Sequence, residues 1–159
     1  MTWATDRLDA LMRGDVTLPP IVETLRLGLI DDWEVGWVRK SWSPSAELAT
    51  ADGSLFGGYL AALADQVLTF ATMTVVPDDR IYRTVNLQVN FLKVGRNHPL
   101  AIEGRVVAQT RQLITVRADF RREDGALIAD ATAQQLLMPL DNWPAEQAAL
   151  EATAAANCT

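Results

Sequence analysis

The sequence predicts an α+β protein in which an antiparallel sheet of about five to six strands wraps around one long central helix. Three observations predict it. From Leu55 to Val76 a single charged residue, Asp65, interrupts a run that is otherwise uncharged and mostly apolar. After that run the period changes: Thr84-Val85-Asn86-Leu87-Gln88-Val89-Asn90-Phe91 alternates apolar and polar residues without an error, the mark of a half-buried strand. Further strand-like segments follow, from Leu100 to Ala108, Ile114 to Arg121 and Leu127 to Met138, with Asp124-Gly125 as a hairpin signal before the last. An antiparallel sheet with one dry face needs a cover. A helix apolar nearly all round is the element that supplies it.

Taken in order, the chain opens with Leu8, Leu11 and Met12 at helical spacing between Thr5 and Arg13, and Gly14 is a natural stop. Pro19-Pro20 can start a short helical turn through Leu25. Trp33, Val35 and Trp37 alternate with polar or small residues and read as one strand running on towards Trp42. The polar segment from Ser43 to Ser54 is a loop leading into Gly57-Gly58, which open the long helix. Pro77-Asp78-Asp79 end it, and the four strands after it read as a consecutive meander. The tail from Trp143 is Ala-rich and weakly helical. The whole reads as one domain, 1–159: an N-terminal helical extension over about 1–26, the core over about 27–139 and a tail over 140–159.

Composition narrows the function classes. At 159 residues, with 49% hydrophobic and 21% charged residues, the chain is long enough to bury a core without staples. A net charge of -6 argues against nucleic acid as a partner. A phosphate-bearing coenzyme needs only a local basic cluster, and two exist: Lys93, Arg96 and His98, and Arg117, Arg121 and Arg122. The one cysteine, Cys158, gives no disulfide framework, and the one histidine, His98, gives no multi-histidine metal site. No metal is expected. The first residues lack an apolar signal region, and Asp65 would cost ~3 kcal/mol inside a membrane span. The expectation is a cytoplasmic protein that does not enter a membrane.

The chemistry concentrates between Phe56 and Asp65. A helix that starts with small residues presents free N–H groups and the positive end of its dipole. A carboxylate isolated in an apolar helix has a partner or a task. Donors for a developing negative charge together with an acid are the two halves of an acyl-transfer site. Gly57 and Asp65 are eight residues apart, however, so they lie ~12 Å apart along one helix. One site can use both only if the glycine end of one subunit faces Asp65 of another, which predicts an obligate dimer.

The order strand, Gly-Gly-started helix with an internal acid, then strands resembles the hotdog-fold acyl-CoA thioesterases, the phenylacetate-pathway and 4-hydroxybenzoyl-CoA group above all. The resemblance covers about 35–138 and rests on Gly57-Gly58 with Asp65, and on the strand from Thr84 to Leu92. It implies that Gly57 or Gly58 polarises the thioester carbonyl. It also implies that Asp65 acts as nucleophile or general base and that Thr84 orients the attacking water. The substrate would be an acyl-CoA, with coenzyme A entering only as part of it, and the assembly a homodimer or a dimer of dimers. Relatives commonly carry His directly before the glycine pair and Asn or Gln six residues earlier; here those positions are Phe56 and Thr50.

Phe56 and Tyr59, beside the glycines, are candidates for the substrate pocket, with Thr50 and Asn86. Asn86, Gln88 and Asn90 share the face of Thr84, as a polar interface or, the favoured reading, the wet side of the sheet. Trp33, Trp37 and Trp42 read as core or interface packing. Two other functions stay open: a hotdog hydratase or dehydratase, which would need a histidine beside the acid, and an acyl-thioester binding protein without catalysis.

Overall fold

The computed structural model describes residues 1–141; the Ala-rich tail from Trp143, with Cys158, lies outside the described residues. Helix α1, Trp3–Arg13, is capped by Thr2, whose side chain accepts from the Thr5 amide, and closed by Gly14 at φ 77. Helix α2, Pro20–Thr24, starts on a proline that suits the first helical position. Strand β1 (Asp32–Glu34) and strand β2 (Trp37–Trp42) follow, then a 3-10 turn at Ala46–Leu48 and the long helix α3, Gly57–Met73. Strands β3 (Arg80–Phe91), β4 (Leu100–Gln109), β5 (Leu113–Arg122) and β6 (Leu127–Pro139) complete the order. No described helix is long and apolar enough to cross a membrane.

All six strands form one antiparallel sheet in the order β1-β2-β4-β5-β6-β3, with α3 packed against it. Leu63, Ala64, Val67, Leu68 and Ala71 of α3 are fully buried, as are Val38, Ile102, Val116 and Phe120 on the strands. At Gly104 of β4 helix and sheet come too close for a side chain: a Cβ there would stand 2.9 Å from a Val67 methyl and 3.1 Å from its carbonyl.

Two expectations are corrected. The segment read as one strand through Trp33, Val35 and Trp37 is a hairpin: Glu34 pairs with Trp37, and Val35-Gly36 turn the chain with Gly36 at φ 81. The last four strands are not a consecutive meander. Only β4, β5 and β6 are; β3 lies at the far edge beside β6, and loop 92–99 carries the chain from it to β4. That loop packs on the start of α3, where the Gly95 carbonyl accepts from the Leu55 amide at 2.8 Å.

Candidate functional site

The predicted residues fall into two clusters on α3. The first is its N-terminus. Phe56 is the N-cap and offers no side-chain cap. In-turn bonding begins with Tyr59 and Leu60, which both donate to the Phe56 carbonyl at 3.0 and 3.3 Å. The amides of Gly57 and Gly58 precede them and donate no hydrogen bond among the described residues. Two exposed rings flank these amides: a Cβ on Gly57 would stand 3.1 Å from Phe91 Cζ, and one on Gly58 2.6 Å from Phe56 Cε1. Beside them is a hollow of about 330 Å³ lined by Leu48, Thr50, Phe56 and Tyr59. Tyr59 packs its ring 5.4 Å from that of Trp42 and donates its hydroxyl to the Leu25 carbonyl at 2.6 Å. Thr50 is engaged within its own loop, donating to Asp52 Oδ1 at 2.5 Å. Hydrogen bonds from the Ser54 and Thr50 hydroxyls hold the Asp52 carboxyl well below the usual carboxylate range.

The second cluster surrounds Asp65. This carboxylate is half-exposed, not buried, and sits with Gln66 and Thr69 on the one face of α3 that the core leaves open. Thr84 donates to Asp65 Oδ1 at 3.0 Å. The β3 backbone makes that contact possible. Thr84 pairs with Gln135 and Asn86 with Gln134, leaving Val85 unpaired in a bulge. Gln135 is in phase with the buried residues Ala129, Ala131 and Ala133, so Thr84, Leu87, Val89 and Phe91 face the helix. Asn86, Gln88 and Asn90 face the other way, and Asn90 donates to Asp130 at 2.7 Å. The expectation that Asn86, Gln88 and Asn90 share the Thr84 face is therefore wrong. One unpaired residue reverses the phase, and Asn86 is not beside Asp65 in its own subunit.

Next to Asp65 along α3 opens a pocket of about 290 Å³. Gln66 and Thr69 line it on the Asp65 side, Tyr82 from β3, and Leu11, Val22, Phe70 and Met73 form apolar walls. Sequence reading missed this pocket, the Phe91 ring and Gln135. A glutamine at a position in phase with Ala129, Ala131 and Ala133 was the available signal for the last. Loss of hydration raises the Tyr82 phenol above its ordinary value.

The basic clusters differ. Arg117 pairs with Asp119 and Asp130, Arg121 with Asp119 and Arg122 with Asp124. Lys93 and Arg96 flank Gly95 near the start of α3 and are exposed. His98 is exposed beside Pro99, Arg122 and Asp124, and makes no contact with Asp65. Among the described residues no group of three or more His, Cys, Asp or Glu is placed to hold a metal ion.

Known proteins resemble this chain in fold and, over part of its length, in sequence. A Saccharolobus solfataricus protein named as an esterase is 29% identical over 94 residues, 58% of this chain, and the chain spans only 59% of that relative's length. A phenylacetic acid degradation-related protein of Ralstonia eutropha JMP134 superposes with a TM-score of 0.73 at 24% identity, covering 81% of this chain and 98% of that one. A thioesterase of Haemophilus influenzae gives 0.72 at 17% identity, over 84% and 91% of the two chains. A Streptococcus mutans UA159 protein bound to acetyl CoA gives 0.64 at 22%, over 69% and 87%. These likenesses establish the fold. Residues 52–129, which hold the glycine pair, Asp65 and Thr84, match the thioesterase superfamily, and the sheet packed on one long helix is the hotdog fold.

Proposed function

We propose that the protein hydrolyses an acyl-CoA thioester at a site shared by two copies of the chain. The observation that carries this reading is the Thr84–Asp65 contact at the open edge of the sheet. Strand β3 has 12 residues, is unpaired along one side among the described residues and exposes Val85 and Phe91. A long edge strand with open backbone donors and acceptors favours pairing with a second chain. Pairing β3 with β3 of a second copy would bring the Gly57-Gly58 end of one α3 towards Asp65 of the other.

In that arrangement the thioester oxygen accepts from the glycine amides. Thr84 occupies Oδ1 of Asp65, leaving Oδ2 for a water. Asp65 takes a proton as the water oxygen bonds to the acyl carbon, and the amides hold the resulting oxyanion. The C–S bond then breaks, the proton passes to the departing sulfur, and acid and free thiol are released. Direct attack by Asp65, with water resolving an acyl-enzyme, uses the same groups. The apolar pocket beside Asp65 suits the acyl group, and Lys93 and Arg96 suit coenzyme phosphates.

A second reading, acyl-thioester binding without hydrolysis, is favoured by the Phe56 ring standing over Gly58, where it can cover the donors. The test is thiol release from short, medium, long and aromatic acyl-CoAs by the wild type and Asp65→Asn. Release that vanishes in the variant supports hydrolysis. Binding without release, unchanged in the variant, supports the second reading.

A further inference from the structure

The geometry points to Gln135 as a positioning residue that fixes the Thr84 hydroxyl as a donor to Asp65; this rests on the hydrolytic reading above. Gln135 is fully buried on β6, directly opposite Thr84. Its Oε1 lies 3.1 Å from Thr84 Oγ1, which is itself 3.0 Å from Asp65 Oδ1. Its Nε2 has no hydrogen-bond partner among the described residues. A hydroxyl has one hydrogen, so Thr84 cannot donate to both oxygens, and a buried amide N–H without an acceptor is costly. Its core-face neighbours Ile114, Ala133 and Leu137 have no acceptor in their side chains.

Turning the amide over removes the first conflict and gives one of the two unpartnered N–H bonds an acceptor. Nε2 then donates to Thr84 Oγ1, and the Thr84 hydrogen has one acceptor left, Asp65. One N–H stays without an acceptor, and an orphaned carbonyl oxygen, the milder defect, replaces the other orphaned donor. The result is a directed chain, Gln135 Nε2 to Thr84 Oγ1 to Asp65 Oδ1, that leaves Oδ2 for the reacting water. The bulge at Val85 sets the register that places Thr84 over Gln135. Gln135 touches no substrate and acts through Thr84.

The test is the kcat of Gln135→Met and Gln135→Glu, each in the wild-type and Thr84→Val backgrounds, with melting curves to confirm folding. Gln135→Met, similar in shape and without a donor, should lower kcat about tenfold with KM unchanged. Gln135→Glu should lower it further, because its carboxylate claims the Thr84 hydrogen. In the Thr84→Val background both should change kcat by less than about twofold, since the group they act through is gone. Equal losses in both backgrounds, or none in either, would overturn the proposal. Should the wild type show no Asp65-dependent release, the hydrolytic reading fails separately, and a crystal structure of Gln135→Glu still decides. Thr84 Oγ1 turned from Asp65 to the glutamate supports the chain, and an unchanged Thr84–Asp65 contact refutes it.

Discussion

The two functional clusters of α3 are built in opposite ways. At the N-terminus the chemistry is backbone: two glycine amides with no internal acceptor, walled by rings from Phe56 and Phe91. At Asp65 it is side chain: an acid, a hydroxyl from an edge strand and a buried amide behind it. The first can only stabilise negative charge; the second can only accept a proton or attack. Neither is a catalyst alone, and one rigid helix holds them ~12 Å apart. The difference teaches why the open sheet edge matters to the proposed site, because a second copy paired there would bring the opposite cluster within reach.

The comparison breaks most visibly at the acid. Asp65→Asn should lower thiol release on the best substrate by about 10³-fold, within the range for loss of a general base, with folding unchanged. Asn86→Ala, on the opposite face of β3, should leave kcat within about twofold; comparable losses in both would dissolve the acid cluster. At the donor end, Gly57→Pro removes an amide hydrogen at a position whose backbone suits proline, since Phe56 before it is extended at φ -64, ψ 120, and the exposed Phe91 ring has to shift slightly to admit it. It should cost about 10²-fold in kcat if that amide is the oxyanion donor. Lys93→Glu with Arg96→Glu should raise KM for acyl-CoA about fivefold with kcat held, an effect that shrinks at high salt. Equal change in kcat would place these cations in the chemistry instead.

The smallest effect belongs to a group outside both clusters. Lys40 is buried on β2, donates to the Leu29 carbonyl at 2.7 Å and is pushed down by burial from 10.5 to about 8. Below pH 8 it is charged folded and unfolded, and the full penalty of burying the charge applies. From pH 8 to 10.5 the folded form is neutral while the unfolded chain still binds the proton, so stability rises with pH. Subtracting the melting profile of Lys40→Met from that of the wild type isolates this rise, and turnover should not follow it.

Periodicity made the long helix, the glycine pair and the strand segments legible, and charge isolation singled out Asp65. What stayed hidden was set by the backbone. Alternation from Thr84 to Phe91 is unbroken in sequence, yet the bulge at Val85 puts Thr84 in phase with Leu87 and Val89 and turns Asn86 away. The Val35-Gly36 turn was masked by apolar and aromatic residues that suit strands on either side. That β3 pairs with β6 and not β4 depends on where loop 92–99 runs, which no local pattern encodes. Gln135 carries meaning only once Thr84 is opposite it.

The shared site is tested most directly by mixing two inactive forms. Asp65→Asn and Gly57→Pro are each assayed alone, then co-expressed in equal amounts. Each mixed dimer would hold one site with an intact acid from one copy and intact donors from the other. With random pairing, thiol release should recover to about a quarter of the wild-type level. Mixed dimers that form but release no thiol would contradict a site assembled from both copies.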